Sequence, residues 1–581
     1  MSLSTNSIDK SRYFLIYLSL ASIVPIVFVS IKSSVDLYHE GAIFPSSVGV
    51  SHGKAIFREV NNQYGFLVAL VNSPFIKLFG NYVIIGRLVG YLVYILVVIC
   101  YFLIVKRVAN KFIATFSSLI LVTINPAWSL LGQNDMLGLS VWVNVYGVLL
   151  ILFSIVIVLY GIDNPNKVSR LFAIAGAVSF LSVFVRPQFV FVWLLQLIYL
   201  SIRFGSAPAR KTPVINWFLG GMTSLILSIT YLSSQGALKD CFDQLVKVWF
   251  ENAPNSAYLG LGNLLNFTFS SSLFFLCFTI VYLSLKIFGS KIIGIILVLL
   301  FIEINESFLD AASDFMLMGR KIGPFLSTAM QGLLFSFCSV LVSLLILVVV
   351  FSCLSNFNIL RAVKTFSLFN SGDKSNFLLV SSLGTLFQLH NVNSAYIFMV
   401  TPIIMAWFIS YVFGTGINVS IRKMQLAPAV YILLSVFIGF SIATSYVLAN
   451  KPFYPYKSNI LQGLKDTSPI ARNKIDANFN VLETNVKNGQ MFMDCQYGLY
   501  SVSPSGLYIA NKWTWNEIPA DWRLNSLAEA KPGHFLLRCG GNKGTQNQYL
   551  VWSKNSTITL IQENYDFSLY KVNKPLFLKL L

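Results

Sequence analysis

The chain has 581 residues, of which 55% are hydrophobic and only 11% are charged. Soluble domains carry roughly 25% charged residues, so lipid must surround most of the surface of this protein. The formal net charge of +19 comes largely from short basic loops between apolar runs, a pattern typical of membrane proteins. We therefore do not expect nucleic acid as a partner.

Apolar runs predict about thirteen membrane-spanning helices. No convincing cleavage site follows the first run, so we interpret it as a permanent helix. Several runs are shorter than the ~20 residues that usually cross a bilayer, which leaves their boundaries and their exact number open. The predicted spans are 13–33, 83–105, 111–125, 139–161, 170–185, 189–203, 213–233, 271–287, 292–305, 330–353, 377–389, 397–414 and 428–449.

Basic residues mark alternate loops and predict the orientation of the chain. Clusters such as Lys106–Arg107, Arg170 and Lys374 fall between successive pairs of spans, together with the basic N-terminus. The positive-inside rule places these loops in the cytoplasm. An odd number of spans then places the C-terminus outside, as expected for a multi-pass protein of the plasma (inner) membrane. The inside loops are too short to fold a nucleotide-binding domain.

The chain changes character near Asn450. Residues 1–449 form the predicted membrane domain, and residues 450–581 form a predicted soluble domain on the extracytoplasmic side. Short apolar runs such as GQMFMDC, GLYSV, GLYIAN, HFLLRC, NQYLVW and STITLI indicate strands and turns, with helical stretches near 459–487 and 524–530. We expect a small α/β domain. Cys495 and Cys539 lie in two of these runs, and an oxidising compartment favours a disulfide between them, two separate thiols being the alternative.

The connection after the first span, residues 34–82, is the first outer segment. Asp36 lies at its start, and a helix continued by one turn would place His39 and Glu40 on the same face as Asp36. Two carboxylates and an imidazole at a membrane surface suit a general base, a metal site or both. A solvated helix end is the alternative.

The same segment resembles a known family. Its order of features is similar to the first outer loop of the glycosyltransferase C superfamily (GT-C). The features are an acid just after the first span, HEG, a run like GKAIFREVNNQYG, a KLFG turn and an Arg in the second span. The resemblance is strongest over 36–87. It implies a multi-span enzyme that uses polyprenyl-phosphate sugars, with the catalytic acid at Asp36. Some relatives have paired acids, so Glu40 remains a rival base, and a divalent cation is neither required nor excluded.

Other polar residues are candidates for binding the donor phosphate or sugar. Arg186 precedes Pro187 and Gln188 at the outer end of the fifth span, where it would neutralise a lipid phosphate or extend to the interface. Arg87 lies one turn into the second span and needs a partner, either the donor or an outer acid. Lys54 and Arg58 are phosphate contacts or plain loop charges.

His390 and Asn391 lie in a polar turn between two late spans. This turn resembles the late outer loop that lines the sugar pocket in several GT-C enzymes, and a turn that caps its own backbone is the alternative. The complete prediction has Asp36 and Glu40 as catalytic residues and His39, Lys54, Arg58, Arg87, Arg186, Gln188, His390 and Asn391 as donor-binding residues.

These features predict inverting transfer of a single sugar from a polyprenyl-phosphate donor to an extracytoplasmic glycan, lipid or protein acceptor. The expected partners are the polyprenyl-phosphate sugar, a glycan or glycolipid acceptor and membrane lipid. A transporter or flippase for a lipid-linked saccharide is the first alternative. An oligosaccharide polymerase or ligase is the second, although such proteins usually have their large outer loop late among the spans.

Overall fold

The structure is a computed structural model. It describes residues 35–121 without 36, 38, 61, 63, 110, 112, 116, 119 and 120, then 143–164, 168–204, 212–247, 373–386, 401–410, 454–486 without 467, 491–501 without 496 and 497, 512–514, 527–539, 546–564 and 567–576. The predicted spans 13–33, 271–287, 292–305, 330–353 and 428–449 lie outside the described residues.

The membrane part of the described chain is helical. Four of its helices are long and apolar enough to cross a bilayer: Val83–Val108, Val143–Asp163, Pro187–Phe204 and Thr212–Ser234. Each coincides with a predicted span. In chain order the helices are α1 (His39–Ser51), α2 (Leu67–Phe79), α3 (Val83–Val108), α4 (Val143–Asp163), α5 (Val168–Leu181), α6 (Val190–Phe204), α7 (Thr212–Ser234), α8 (Leu238–Cys241), α9 (Asp373–Leu386) and α10 (Thr401–Ser410).

Small residues let the helices of the membrane part pack closely. A Cβ on Gly176 of α5 would lie 2.2 Å from the carbonyl oxygen of Trp217 in α7, and one on Gly220 would lie 1.9 Å from that of Ala173. Larger side chains at these two positions would force the helices apart. Close packing through small residues is a common source of helix association in lipid, where apolar burial contributes little.

The basic ends of several helices meet on one side of the bundle. Asp163, at the end of α4, lies 2.6 Å from the Lys374 ammonium and 3.8 Å from the Arg107 guanidinium. These cations come from two of the loops that the sequence assigns to the same face. The ion pairs therefore agree with the predicted alternation of loops, and they place the start of α9 beside the ends of α3 and α4.

The first outer segment contains two helices, α1 and α2, which the sequence did not predict. Helix α1 ends where Gly53 adopts a left-handed conformation with φ 80°, and the Gly53 N–H donates to the carbonyl of Val50. Helix α1 packs against α2, and Phe44 of α1 lies against Gly86 of α3, where a Cβ would be 3.2 Å from its ring. The segment thus lies directly on the start of the second predicted span.

The C-terminal part contains a five-stranded mixed sheet in the order β4-β3-β5-β7-β6. Strand β3 pairs in parallel with β4 and β5, and β7 pairs antiparallel with β5 and β6. The elements are β1 (Tyr454–Pro455), β2 (Lys465–Asp466), α11 (Pro469–Asn485), β3 (Met491–Asp494), β4 (Lys512–Thr514), β5 (Phe535–Cys539), α12 (Gln546–Lys554), β6 (Ile558–Glu563) and β7 (Phe567–Val572).

One of the runs predicted as strands and turns is a helix. NQYLVW belongs to helix α12, in which Gln548, Tyr549 and Trp552 are buried together. Positions i, i+1 and i+4 share a helical face, and short apolar runs do not distinguish a helix from a strand by periodicity alone. GLYSV contributes a 3₁₀ turn, Gly498–Ser501.

The C-terminal part packs directly on the first outer segment. The turn Gly498–Ser501 lies against α1, and the Leu499 N–H donates to the carbonyl of Leu37. A Cβ on Gly463 would lie 3.1 Å from Ile84, at the start of α3. The C-terminal part and the first outer segment are therefore on the same side of the bundle. That this part is an independent extracytoplasmic domain stays a prediction.

The predicted disulfide between Cys495 and Cys539 is confirmed, with Cα atoms 4.7 Å apart. It joins the ends of the parallel strands β3 and β5, and both cysteines are buried. Cys495 is four residues before Leu499, so the bond fastens the chain just before the turn that contacts α1.

Labelling from outside will test the orientation. Arg58 is exposed in the first outer segment, and Lys106 is exposed at the opposite end of α3. A membrane-impermeant thiol reagent added to the outer side should modify Arg58→Cys above the wild-type background and leave Lys106→Cys unmodified. The reverse pattern would invert the predicted topology.

Removal of the disulfide should destabilise the C-terminal part. Cys495→Ser with Cys539→Ser opens a loop that spans 44 residues, and such a bond contributes about 3–4 kcal/mol by restricting the unfolded chain. Thermal unfolding in detergent should show a lower Tm. Cys241→Ala is the control, because Cys241 is a free thiol. An equal Tm for wild type and the double variant would contradict this expectation.

Candidate functional site

The structure describes part of the predicted site. Asp36, His390 and Asn391 lie outside the described residues. His39 begins helix α1, and its side chain also lies outside them. The structure describes the remaining candidates, which are Glu40, Lys54, Arg58, Arg87, Arg186 and Gln188.

Glu40 and Arg87 form a buried ion pair. The Arg87 Nε donates to Glu40 Oε1 at 2.5 Å, and Nη2 donates to Oε2 at 2.9 Å. Their side chains are 2% and 1% exposed, respectively. Glu40 lies in the first turn of α1, where the helix dipole favours an acid, and Arg87 lies one turn into α3. Each side chain supplies the partner that the other needs at a depth where an isolated charge is costly.

The observed partner of Arg87 is Glu40, an acid of the first outer segment, which corresponds to one of the two alternatives that the sequence left for Arg87. The geometry of the pair also bears on Glu40 as a base. Both carboxylate oxygens of Glu40 accept hydrogen bonds from the guanidinium, so the carboxylate is fixed in place on Arg87, and a proton transfer would have to use its remaining lone pairs. The pair is well suited to hold α1 on α3.

Arg186 lies in a second buried polar group. Its Nη1 donates to Asn144 Oδ1 at 3.0 Å, and Arg186 is 5% exposed. Asn144 is the second residue of α4, and Gln188 follows Arg186 in the 3₁₀ turn before α6. Pro187 is the first residue of that turn. Its fixed φ suits this position, and it has no backbone N–H that would need a partner.

Two polar atoms in this group have no hydrogen-bond partner among the described residues. They are Asn144 Nδ2 and Gln188 Oε1, and both are buried. Leaving a buried polar group unsatisfied typically costs about 1–3 kcal/mol, so such atoms in a folded protein require an explanation. A guanidinium beside an amide donor suits an anionic oxygen, and the amide oxygen of Gln188 suits a hydroxyl.

The first outer segment reaches this group through two contacts. The Gly65 N–H donates to the carbonyl of Val185 at 2.9 Å, and the Tyr146 hydroxyl donates to Asn72 Oδ1 at 2.8 Å. A Cβ on Gly65 would lie 1.8 Å from the carbonyl oxygen of Phe184, so this approach requires glycine. The segment that carries Glu40 thereby also lies against the chain that carries Arg186.

Lys54 and Arg58 make their contacts elsewhere in the outer part. Burial lowers the pKa of the Lys54 ammonium, and the nearby Glu59 carboxylate partly opposes that shift. Glu59 itself accepts a hydrogen bond from the Ala55 N–H at 2.7 Å. Arg58 is exposed, and its guanidinium lies over Gly236 after α7.

Sequence reasoning missed Asn144, Asn72 and Tyr146. Asn144 lies at the start of an apolar helix and Asn72 lies in the middle of one, and both are buried. A polar side chain at the outer end of an apolar run is the signal that would have drawn attention to Asn144. Its partner Arg186 is 42 positions away, and the sequence alone does not connect them.

Among the residues that the structure describes, no group of three or more His, Cys, Asp or Glu side chains is placed to hold a metal ion. Asp36, the acid on which the sequence prediction of a cation depended, lies outside that part of the chain.

No family model matches this chain, and no curated protein matches it. Among solved structures, ArnT from Cupriavidus metallidurans in the apo state matches with 9% identity and a TM-score of 0.36, over 97% of this chain and 98% of ArnT. ArnT bound to undecaprenyl phosphate matches with 10% identity and a TM-score of 0.35, over 96% and 97%. The Archaeoglobus fulgidus oligosaccharyltransferase in complex with Zn and sulfate matches with 10% identity and a TM-score of 0.43, over 92% and 69%.

TM-scores this low carry no argument about function, which has to come from the residues of this chain.

The Glu40–Arg87 pair should be essential for stability. Glu40→Gln leaves the Arg87 guanidinium buried without its counter-charge, and breaking a buried pair in this way typically costs about 3–5 kcal/mol. The Tm in detergent should fall sharply. Lys374→Ala is the control, because its pair with Asp163 is 30% and 39% exposed and such pairs contribute about 0–1 kcal/mol.

The double variant Glu40→Leu with Arg87→Met separates charge from packing. It removes both charges and should recover most of the lost stability. If Glu40→Gln is no more damaging than Lys374→Ala, the pair does not hold the first outer segment as described.

Proposed function

We propose that this protein is a membrane glycosyltransferase that moves a single sugar from a polyprenyl-phosphate carrier to an acceptor hydroxyl, with inversion at the anomeric carbon. The observation that carries the proposal is the buried group of Arg186, Asn144 and Gln188 at the outer ends of the helices. The Arg186 guanidinium donates to Asn144, the Asn144 Nδ2 is a further donor, and two residues after Arg186 the buried Gln188 carries an amide acceptor.

The carrier phosphate would bind at Arg186 and Asn144. A guanidinium and an amide N–H both donate to phosphate oxygens, and in surroundings of low dielectric constant their attraction for an anion is stronger than in water. The lipid tail would then lie among the apolar side chains that α6 and α7 present outward, such as Ile198 and Leu227. Undecaprenyl phosphate, the lipid bound to the ArnT structure, belongs to this carrier class.

The chemistry needs a base and charge stabilisation. In the proposal, Asp36 takes the proton from the acceptor hydroxyl, whose oxygen attacks the anomeric carbon from the face opposite the phosphate. The bond between that carbon and the phosphate oxygen breaks, and the phosphate leaves with the electron pair. Arg186 stabilises the leaving phosphate. Gln188 would accept a hydrogen bond from a sugar hydroxyl, while His390 and Asn391 remain predicted donor contacts.

Glu40 is assigned a structural role in this mechanism. Its carboxylate is held by Arg87 on both oxygens, and this buried pair fixes α1 on α3. Glu40 and Arg87 would place the start of α1, three residues after Asp36, against the membrane helices. The extracytoplasmic location of the reaction and of the C-terminal part is proposed on the basis of the alternating basic loops.

Arg186→Ala should weaken carrier binding. Hydrogen bonds to charged groups contribute about 1.5–3 kcal/mol, which corresponds to roughly 10–100-fold in affinity. Undecaprenyl phosphate binding to the purified protein in detergent, followed by native mass spectrometry, is the measurement. Arg107→Ala is the matched control, because Arg107 is an arginine at the opposite end of the bundle beside Asp163. Equal affinities for wild type and Arg186→Ala would remove the phosphate assignment.

Asp36→Asn should abolish transfer without loss of carrier binding. The amide keeps the size of the side chain but does not accept the proton, and loss of a general base typically costs about 10²–10⁴ in rate. Transfer of labelled sugar in membranes that contain the variant measures the rate, and a chelator followed by added divalent cation tests for a metal.

Glu40→Gln serves as the comparison for this measurement, since any protein that folds despite that change should retain more transfer than Asp36→Asn. If Asp36→Asn transfers sugar at the wild-type rate, the base is elsewhere. Movement of the intact lipid-linked sugar across vesicle membranes without transfer would favour the transporter instead.

A further inference from the structure

The chain after α7 folds back over the first outer segment. Residues 235–247 form this second outer segment, which contains α8 and the single π-helical turn Phe242–Lys247. A separate hydrophobic cluster joins the two segments, and the Phe66 ring centroid lies 5.4 Å from those of both Phe184 and Tyr231. The buried members of this cluster are Ile56, Phe57, Phe66, Ala69, Leu232 and Ala237.

One side chain connects the two segments by hydrogen bonds. The Gln244 Nε2 donates to the carbonyl of Phe57 at 2.6 Å, and its Oε1 accepts from the Asn62 N–H at 3.2 Å. A single amide therefore holds two backbone points that are five positions apart in the first outer segment. An amide suits this role because it carries a donor and an acceptor on one planar group.

The backbone that Gln244 holds has an uncommon conformation. Phe57 has φ 68°, in the left-handed region that bulky residues seldom adopt. The Phe57 N–H donates to the carbonyl of Val60 at 2.8 Å, which closes a tight turn. A strained residue of this kind persists when its surroundings fix it, and here Gln244 binds the carbonyl on the other side.

A second contact brings the same two segments together. Gly236 has φ 62°, and a Cβ at this position would lie 2.5 Å from Nη1 of Arg58. The Arg58 guanidinium thus packs against the backbone of Gly236, where a side chain would collide with it. The second outer segment consequently touches the turn at Phe57 and Arg58 from two directions.

The turn leads directly to the Arg186 group. Asn62 Nδ2 donates to the carbonyl of Tyr64 at 2.7 Å, and the next residue, Gly65, donates its N–H to the carbonyl of Val185. Val185 immediately precedes Arg186. A continuous series of contacts therefore runs from Gln244 through residues 57–65 to the backbone that carries Arg186.

We infer that Gln244 is a positioning residue, which fixes residues 57–65 and through them sets the position of Arg186. The inference rests on the proposed function only for the identity of what Arg186 binds. The placement of Arg186 by Gln244 is a property of the fold and is measured independently of any sugar transfer.

Amide hydrogen exchange on the full-length protein in detergent tests the placement. The Gly65 N–H is the reporter, because its hydrogen bond to the Val185 carbonyl joins the first outer segment to the backbone next to Arg186. Gln244→Ala should speed its exchange by about tenfold, the size of effect expected when the support of one hydrogen bond is lost. Gln235→Ala is the matched control, an exposed glutamine in the same segment, and should leave Gly65 unchanged.

A second variant guards against a general folding defect. Gln244→Glu keeps the acceptor for the Asn62 N–H but places a carboxylate oxygen against the Phe57 carbonyl, so it should also speed the exchange of Gly65. Unchanged exchange at Gly65 in both variants would overturn the inference. An equal increase throughout α4 would also overturn it, because that would indicate overall unfolding rather than release of residues 57–65.

Carrier binding then shows whether Gln244 acts through Arg186. Gln244→Ala should weaken binding of undecaprenyl phosphate by about 3–10-fold in the wild-type background and cause no further loss in Arg186→Ala, since residues that act through one another are non-additive. An equal loss in both backgrounds would contradict positioning. If Arg186→Ala alone binds the carrier normally, the proposed function fails, and the exchange of Gly65 still decides the role of Gln244.

Discussion

A buried ion pair between Glu40 and Arg87 joins the first outer segment to the membrane helices. Both charges are almost completely removed from water, so neither is tolerable without the other. The pair determines where α1 starts relative to α3. The hydrophobic contact of Phe44 with Gly86 continues the same interface one turn further along α1.

Other elements of the outer side depend on this placement. With α1 in position, the turn Gly498–Ser501 of the C-terminal part has a surface to pack on. Helix α2 presents Asn72 to Tyr146 of α4. The connection between α1 and α2 brings Gly65 to Val185, where the hydrogen bond leaves no space for a side chain. The first outer segment, the start of α4 and the chain around Arg186 are far apart in sequence, and these contacts bring them together.

The two buried groups suit different roles. Both oxygens of the Glu40 carboxylate accept from the Arg87 guanidinium, so this pair fixes structure. The Arg186 guanidinium donates to Asn144 Oδ1, and Asn144 Nδ2 has no partner in the described chain, so two neighbouring donors suit an anionic ligand. The proposed glycosyl transfer uses this division, with Glu40 and Arg87 as support and Arg186 as the phosphate contact.

The sequence predicted the features that depend on local composition. Hydropathy located α3, α4, α6 and α7, because a long apolar helix is a strong one-dimensional signal. The cost of burying Arg87 predicted that it needs a partner, and the two candidates included the acid that is observed. The spacing of Cys495 and Cys539 in an oxidising compartment favoured the disulfide, which the fold contains.

Features that depend on tertiary contact were beyond the sequence. Nothing in the chain connects Arg186 to Asn144 or Gln244 to Phe57, since each pair is joined by helix packing rather than by spacing. The run NQYLVW was wrongly predicted as a strand, because a six-residue apolar run fits either period and its packing against the sheet decides in favour of a helix. The two helices of the first outer segment were missed, because that segment was treated as a connection between spans.

The structure of this protein with undecaprenyl phosphate bound would show whether Arg186 is the phosphate contact. We expect phosphate oxygens about 3 Å from the Arg186 guanidinium and from Asn144 Nδ2, the distance of a charge-assisted hydrogen bond. The lipid should approach from the outer ends of the helices. A phosphate bound instead at the opposite end of the bundle, beside Arg107 and Lys374, would contradict both the assigned site and the assigned side of the membrane.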